Sequence, residues 1–374
     1  MRVAFLTQQA TSADGWGRYS VEVVRHLHAL GVMPVLLTAF PDKDPALAAL
    51  EHHVVLPPAF GGRLAGLRGL RKAPALRRAL QGCDVMHCLV ERYAPLAALA
   101  RPADMPCLLT AHGTWAVRPL EHRVSRVLYG WAFRQANPLI VQSRFTLAQM
   151  QRHLALPHAE VLSGGIDPAR FAAPAELALP GWAQQGQVIF SAGAIKTRKG
   201  YHVLLEAFAR VAQQLPAAHW VVAGGEGGQA GYAERLRARI ATLGLVSRVH
   251  LLGQVSEAEL LAWYQRADVF ALLPANDGSS FEGLGLVYLE AGASGVPSVG
   301  ALDCGAVDAI REGETGFLVP QNNPQAAAEA LLRLLHDPSL RARMGHAARQ
   351  FAASLTWARL AQALLRRYEA ALAP

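Results

Sequence analysis

The chain has 374 residues, 52% hydrophobic and 17% charged, enough to bury two cores of roughly 150–200 residues each, and it is not a disordered chain. No apolar run reaches the roughly 18 residues of a membrane span. Four cysteines (Cys83, Cys88, Cys107 and Cys304) without a C-x-x-C exclude a disulfide scaffold and a cysteine-rich zinc site, and suit a reducing cytoplasm. The net charge of +8 is lopsided: residues 1–180 hold 19 Lys and Arg against 12 Asp and Glu, whereas residues 181–374 hold 17 against 16.

Val3–Leu6 reads as a first strand, since its apolar stretch is too short for a signal peptide. Tyr19–Ala29 has helical spacing and ends at Gly31; Met33–Thr38 is a second strand. Val85–Leu89, Cys107–Thr110 and Leu139–Val141 follow as strands, and Ser143 stands at the N-cap position before a helix over Phe145–Leu154. Residues 168–186, rich in Pro, Ala and Gly, read as a connection between domains.

The second half repeats the alternation. Strands are predicted at Val188–Ser191, His219–Ala223, Val249–Leu252, Val269–Leu272 and Pro297–Val299. Helices are predicted at Tyr201–Gln214, Ala233–Leu243, Ala258–Arg266, Leu284–Ala293, Gln325–Leu335 and Thr356–Ala370. Strands alternating with such helices imply parallel sheets with crossovers, so both halves read as doubly wound, Rossmann-like α/β domains facing across a cleft.

Three glycine-rich segments follow strands. Gly15-Trp16-Gly17 starts about eight residues after its strand, too late for a dinucleotide fingerprint, yet helix-start N–H groups there can face an anion; a plain loop is the other reading. Gly224-Gly225-Glu226-Gly227-Gly228 follows its strand directly but lacks a ribose-binding acid after the next strand. Ala192-Gly193-Ala194-Ile195-Lys196-Thr197-Arg198-Lys199-Gly200 concentrates three cations beside glycines at a helix start. In a chain with four lysines in all, that pattern suits a diphosphate, against the alternative of a solvated basic turn.

Glu282 and Glu290 are the sharpest acidic pair. The spacing predicts Glu282 at a glycine-rich loop (Gly283-Leu284-Gly285) and Glu290 about two turns into an apolar helix, with both carboxylates on roughly one face. Among Leu286, Val287, Leu289 and Ala291, the Glu290 carboxylate requires a hydroxyl or amide partner; a helix-capping interaction or an internal salt bridge is the competing explanation. Asp42-Lys43-Asp44 lies between Pro41 and Pro45 and reads as a turn before it reads as a metal site. His112, after a strand in Thr110-Ala111-His112-Gly113, occupies a ligand-facing position for this fold class, or a structural one. H-E-x-x-H and G-x-S-x-G do not occur, so zinc-peptidase and α/β-hydrolase chemistry lose their best signals.

Taken in order, these segments resemble the retaining glycosyltransferases of family 4, with the two-Rossmann-domain GT-B architecture. Gly15-Trp16-Gly17-Arg18-Tyr19 matches the N-terminal glycine loop, and Thr110-Ala111-His112-Gly113 the strand-histidine-glycine signature. Leu162-Ser163-Gly164-Gly165-Ile166-Asp167, followed by Phe171, is similar to the P-N-G-V-D…F crossover, with Ser163-Gly164 in place of Pro-Asn. Lys199-Gly200, Gly224 to Gly227, Leu252 to Val255, the E-x7-E segment Glu282 to Glu290 and Thr315 to Val319 complete the set.

The resemblance implies an N-terminal acceptor-side domain over 1–170, a linker at 171–186 and a nucleotide-sugar domain over 187–350, with 351–374 as a helix returning to the first domain. It implies that Lys199 binds the donor diphosphate, assisted by Gly15 and Gly17. Glu290 would hold the ribose, Glu282 with the backbone of Gly283, Leu284 and Gly285 the sugar, Gly253 to Val255 the base, and His112 the transferred sugar near its 6-hydroxyl. Where the family has a second arginine this chain has Ala194, so Lys196 or Arg198 is expected to replace it.

The implied function is transfer of a hexose-type sugar from a nucleotide-diphosphate sugar to a glycan, lipid-linked or small-molecule acceptor. It would proceed with retention, without metal or other cofactor, in the cytoplasm or at the inner face of the membrane. A sugar-nucleotide epimerase and an inactive sugar-nucleotide-binding protein share the fold; the loop lengths speak against a nicotinamide oxidoreductase, and no feature points to nucleic acid. The stretch 61–81 carries Arg63, Arg68, Arg71, Lys72, Arg77 and Arg78, no acid, and leucines at partly helical spacing. It reads either as a contact with anionic lipid or as a solvated basic helix packed by those leucines.

Overall fold

A computed structural model describes residues 1–12, 15–59, 69–175, 177–227, 229 and 231–373. The chain forms two compact units, Met1–Gly165 with Trp357–Pro374, and Ile166–Thr356.

The first unit is built on β1 (Arg2–Leu6), β2 (Met33–Thr38), β3 (Glu51–Val54), β4 (Val85–Cys88), β5 (Cys107–Ala111), β6 (Leu139–Val141) and β7 (Ala159–Val161). All pair in parallel, in the order β3-β2-β1-β4-β5-β6-β7. Its central strands are apolar at successive positions because helices cover both faces of a parallel sheet: Val3 to Leu6, Val85, Met86 and Leu108 are fully buried. Ser143 caps the helix Arg144–Gln151, its hydroxyl accepting from the Thr146 N–H at 3.0 Å.

The second unit holds β8 (Gln187–Ala192), β9 (Ala218–Ala223), β10 (Val249–Gly253), β11 (Val269–Ala271), β12 (Ser298–Ala301) and β13 (Gly316–Val319), again all parallel, in the order β10-β9-β8-β11-β12-β13. In both sheets the order reverses beside the first strand, and the carboxyl ends of strands around that switch point are where such folds bind ligands.

Several elements depart from expectation. The strands β3, β7 and β13 are short, and β3 and β7 are edge strands with mixed side chains that carry little period-two signal. Helices at Ala94–Ala100, Thr114–Glu121, Arg123–Arg134 and Pro338–Ser354 are further elements with no counterpart among those predicted. The helix expected from Leu284 begins at Leu286, because Gly285 takes a left-handed backbone (φ +79°). Residues 171–186 belong with the second unit: they contain the helix Gly181–Gln185, and Phe171 and Ala183 join its core. The chain instead passes between units at Gly165/Ile166 and at Thr356/Trp357. The last helix, Trp357–Leu372, packs on Gly15–Ala29; Trp357 meets Tyr19 edge to face at 5.7 Å, and Tyr368 Oη lies 2.6 Å from His87 Nδ1.

Candidate functional site

In the second unit β8 runs into the cationic loop. Tyr201 donates its hydroxyl to the Gly193 carbonyl at 2.6 Å and tethers the loop to the helix Tyr201–Gln214. Gly200 precedes that helix at φ +70°, and a Cβ there would overlap the Leu273 carbonyl, so the close approach of the loop to the end of β11 requires glycine. The turn Thr197–Lys199 thereby carries two cations to one acid. Lys199 Nζ and Arg198 Nη1 each lie 2.8 Å from Glu282 Oε2.

Lys199 is only 9% exposed. Burial pushes the Glu282 carboxyl up, but the Lys199 ammonium and Arg198 guanidinium outweigh it and hold the group at about 2. Glu282 is therefore ionised at neutral pH, a single acid between two basic side chains. Lys196 lies elsewhere on the loop, its methylenes against Gly227, where any side chain would overlap them. Of the two cations expected to stand in for the missing arginine at Ala194, the structure brings Arg198, and not Lys196, together with Lys199.

Glu290 sits one turn into its helix, not two, and Glu282 lies four residues before the helix starts. A shared helical face therefore does not relate the two glutamates. Glu282 is placed by the loop, whose carbonyl accepts from Gly305 N–H at 2.7 Å. Glu290 is 2% exposed and accepts from the Tyr264 hydroxyl at 2.7 Å, which supplies the hydroxyl partner its surroundings demand. Gly253 closes β10 at φ +72°, its carbonyl accepting from Gly224 N–H at 2.8 Å, and Val255 packs against the core beyond it.

In the first unit, Gly15 and Gly17 open the helix Gly15–Ala29, and a Cβ on Gly17 would overlap the Thr11 carbonyl. His112 follows β5. Its Nε2–H donates to the Leu89 carbonyl at 2.7 Å, which leaves Nδ1 as the acceptor nitrogen, and its ring meets Tyr19 edge to face at 4.7 Å. Burial lowers its pKa to about 4 despite the carbonyl, so the ring is neutral.

Beside it lies a group that is not among the candidates legible in the sequence. Glu91, fully buried after β4, accepts from the His112 backbone N–H at 3.4 Å, while its second oxygen has no hydrogen-bond partner among the described residues. Burial pushes its carboxyl up to about 8. A charged residue three positions after an apolar strand, at the carboxyl edge of a parallel sheet, is the signal that marks it.

Asp44 caps a turn, accepting from Ala46 N–H at 3.0 Å, and no group of three or more His, Cys, Asp or Glu suited to a metal occurs among the described residues. Residues 61–68 of the basic stretch lie outside the described residues. In its described part Leu76 and Leu80 are fully buried in their own unit, leaving Arg71, Lys72, Arg77 and Arg78 exposed. The leucine face there is therefore not available to lipid. Among the described residues no helix is long and apolar enough to cross a membrane.

Residues 13–170 match the model of Glycosyltransferase Family 4, and residues 178–351 that of Glycosyl transferases group 1. The chain is 34% identical to the D-inositol 3-phosphate glycosyltransferase of Salinispora arenicola, over 96% of this chain and 88% of that protein. It is 34% identical to the Corynebacterium glutamicum protein of that name, over 72% and 68%. The match to the Jonesia denitrificans protein of the same name, at 33% identity, spans 56% of this chain and only half of its relative. In fold it resembles the Anabaena HepE protein solved with UDP (TM-score 0.82, 18% identity, 99% of this chain and all of that one). It also resembles the sucrose-phosphate synthase of Thermosynechococcus elongatus (TM-score 0.78, 21% identity, 99% and 98%).

Proposed function

Since the chain belongs to the family 4 glycosyltransferases and has their GT-B fold, we propose that it moves a hexose-type sugar from a nucleotide-diphosphate sugar to an acceptor hydroxyl, with retention and without a bound metal. The observation that carries this reading is the convergence of Lys199 and Arg198 on Glu282 in the loop after β8. The UDP named for the Anabaena structure supports a nucleotide donor of that kind.

Breaking the anomeric C–O bond moves an electron pair onto the leaving diphosphate oxygen. Lys199 and Arg198, held in place by Glu282 and partly withdrawn from water, stabilise that charge where it develops. The acceptor hydroxyl forms the new C–O bond from the same face, and its proton passes to the leaving phosphate oxygen, so no second carboxylate nucleophile is needed. Glu282, ionised throughout, accepts from sugar hydroxyls as well as from the cations. Glu290 is assigned to the ribose, with Tyr264 fixing one of its oxygens. The backbone from Gly283 to Gly285 is assigned to the sugar, that of Gly253 to Val255 to the base, and Gly15 and Gly17 to the donor phosphates. His112 Nδ1 is assigned to a sugar hydroxyl. The acceptor is a glycan, a lipid-linked hydroxyl or a small molecule such as the inositol phosphate in the relatives' name.

The test is a screen of UDP-, GDP- and ADP-sugars for thermal stabilisation, donor hydrolysis and transfer. One donor class should stabilise the protein and be slowly hydrolysed; stabilisation without turnover on any acceptor would indicate a sugar-nucleotide-binding protein, and a new sugar nucleotide as product an epimerase.

A further inference from the structure

The helix Arg123–Arg134 turns an apolar ridge outward. Successive residues advance by about 100°, so Arg123, Arg134, Val127, Trp131 and Val124 share one arc of the helix. All five are exposed, Val124 to 87%, Val127 to 75% and Trp131 to 40%. Away from that arc Ala132 and Phe133 are buried and seat the helix, while the buried Gly130 borders the ridge beside Arg123. Single exposed valines are ordinary, but three large apolar residues aligned on one arc are not.

Arg123, Arg126 and Arg134 are the only charged residues of the helix, and against them stands one exposed acid nearby in sequence, Glu121, two positions before it. The helix packs against Ala94–Ala100, on which Leu99 is 46% exposed, and that helix packs in turn against Ala73–Ala79. The Arg77 guanidinium donates to the Ala100 carbonyl at 3.1 Å and ties the pair together, with Arg78 exposed on the same short helix and Arg71 and Lys72 exposed just before it. Three neighbouring helices of one unit thus offer an apolar ridge that includes a tryptophan, flanked by cations.

We propose that this face docks on an anionic lipid bilayer, with Val124, Val127 and Trp131 entering the headgroup boundary and the arginines meeting lipid phosphates. Tryptophan and arginine suit that boundary, since each joins an apolar body to a polar end. The inference deepens the proposed function by naming a lipid-linked acceptor, and in that respect rests on it.

Co-sedimentation of the full chain with phosphatidylcholine vesicles, with and without phosphatidylglycerol, tests the inference. Binding is expected to the anionic vesicles and to fall in high salt. The exposed-face variant Val124→Ser/Val127→Ser/Trp131→Ser should lower partitioning roughly tenfold or more, and Arg123→Gln/Arg134→Gln should lower it at low salt. Melting curves check that both variants are folded. No binding to anionic vesicles, or undiminished binding by the folded triple variant, overturns the proposal. So does a dimer in vesicle-free solution that the triple variant abolishes, which would assign the ridge to a second copy of the chain. Hydrolysis of the donor without vesicles, measured on the same samples, reads the transferase assignment separately: its failure leaves the lipid result standing.

Discussion

Lys199 and Glu282, 83 positions apart in sequence, meet at 2.8 Å with both side chains nearly buried. Arg198 reaches the same carboxylate oxygen, so a single acid orients two cations and neutralises only one of them. The remaining positive charge is what the proposed leaving group would use. Lys199→Ala should lower transfer by about two powers of ten or more, as for other groups that stabilise charge in the transition state. Steady-state rates on a folded variant check it; near-normal turnover would remove the phosphate assignment.

Arg198→Ala should cost more activity than Lys196→Ala, since only Arg198 shares the acid with Lys199. Comparing kcat/KM of the two variants tests this ranking. Equal rates, or a greater loss from Lys196→Ala, would move the replacement for the absent arginine away from Arg198.

Chelation with EDTA should leave transfer unchanged, because two fixed cations occupy the role that a divalent ion plays at other diphosphate sites. An activity lost on chelation and restored by magnesium or manganese contradicts this.

Removing the Tyr264 hydroxyl by Tyr264→Phe strips a buried carboxylate of a donor at 2.7 Å. The expected cost is about 1–3 kcal/mol of stability, read as a lower denaturant midpoint. A variant as stable as the parent would show that Glu290 does not depend on this bond.

Glu91 predicts a pH dependence of stability in the first unit. Burial raises its folded pKa to about 8, against an ordinary value of 4.5. A raised pKa contributes stability that is fully present below the unfolded value and lost as pH rises through the folded one, here from about 4.5 to about 8. His87, lowered by burial to about 3, and His112, lowered to about 4, act in the opposite sense: their contributions are present above about 6.5 and are lost as pH falls through those values. Melting temperature should therefore peak at mildly acidic to neutral pH. Glu91→Gln should flatten the alkaline decline, with its largest gain over the parent at about pH 8 to 9; parallel curves for parent and variant would refute the assignment.

What can be read without coordinates is local. Apolar runs such as Val3 to Leu6 and the 3.6-residue spacing of Tyr201–Gln214 announce two parallel-sheet halves, because the period of burial is written in near neighbours. The Ser143 cap and the cation-rich loop are equally local, and so visible. Glu282 and Glu290 are legible as candidates, yet their supposed common helical face is not what relates them, since Gly285 delays the helix start. Tertiary structure alone decides which distant groups meet: Glu282 with Arg198 and Lys199, Tyr264 with Glu290, and Glu91 with His112. Each of these pairings follows from the order of strands in a sheet and from where their ends and covering helices fall, and a chain read residue by residue carries no local trace of that order. The same holds for the ridge of Val124, Val127 and Trp131: its apolar residues look like core until packing shows that the other arc of the helix fills the core.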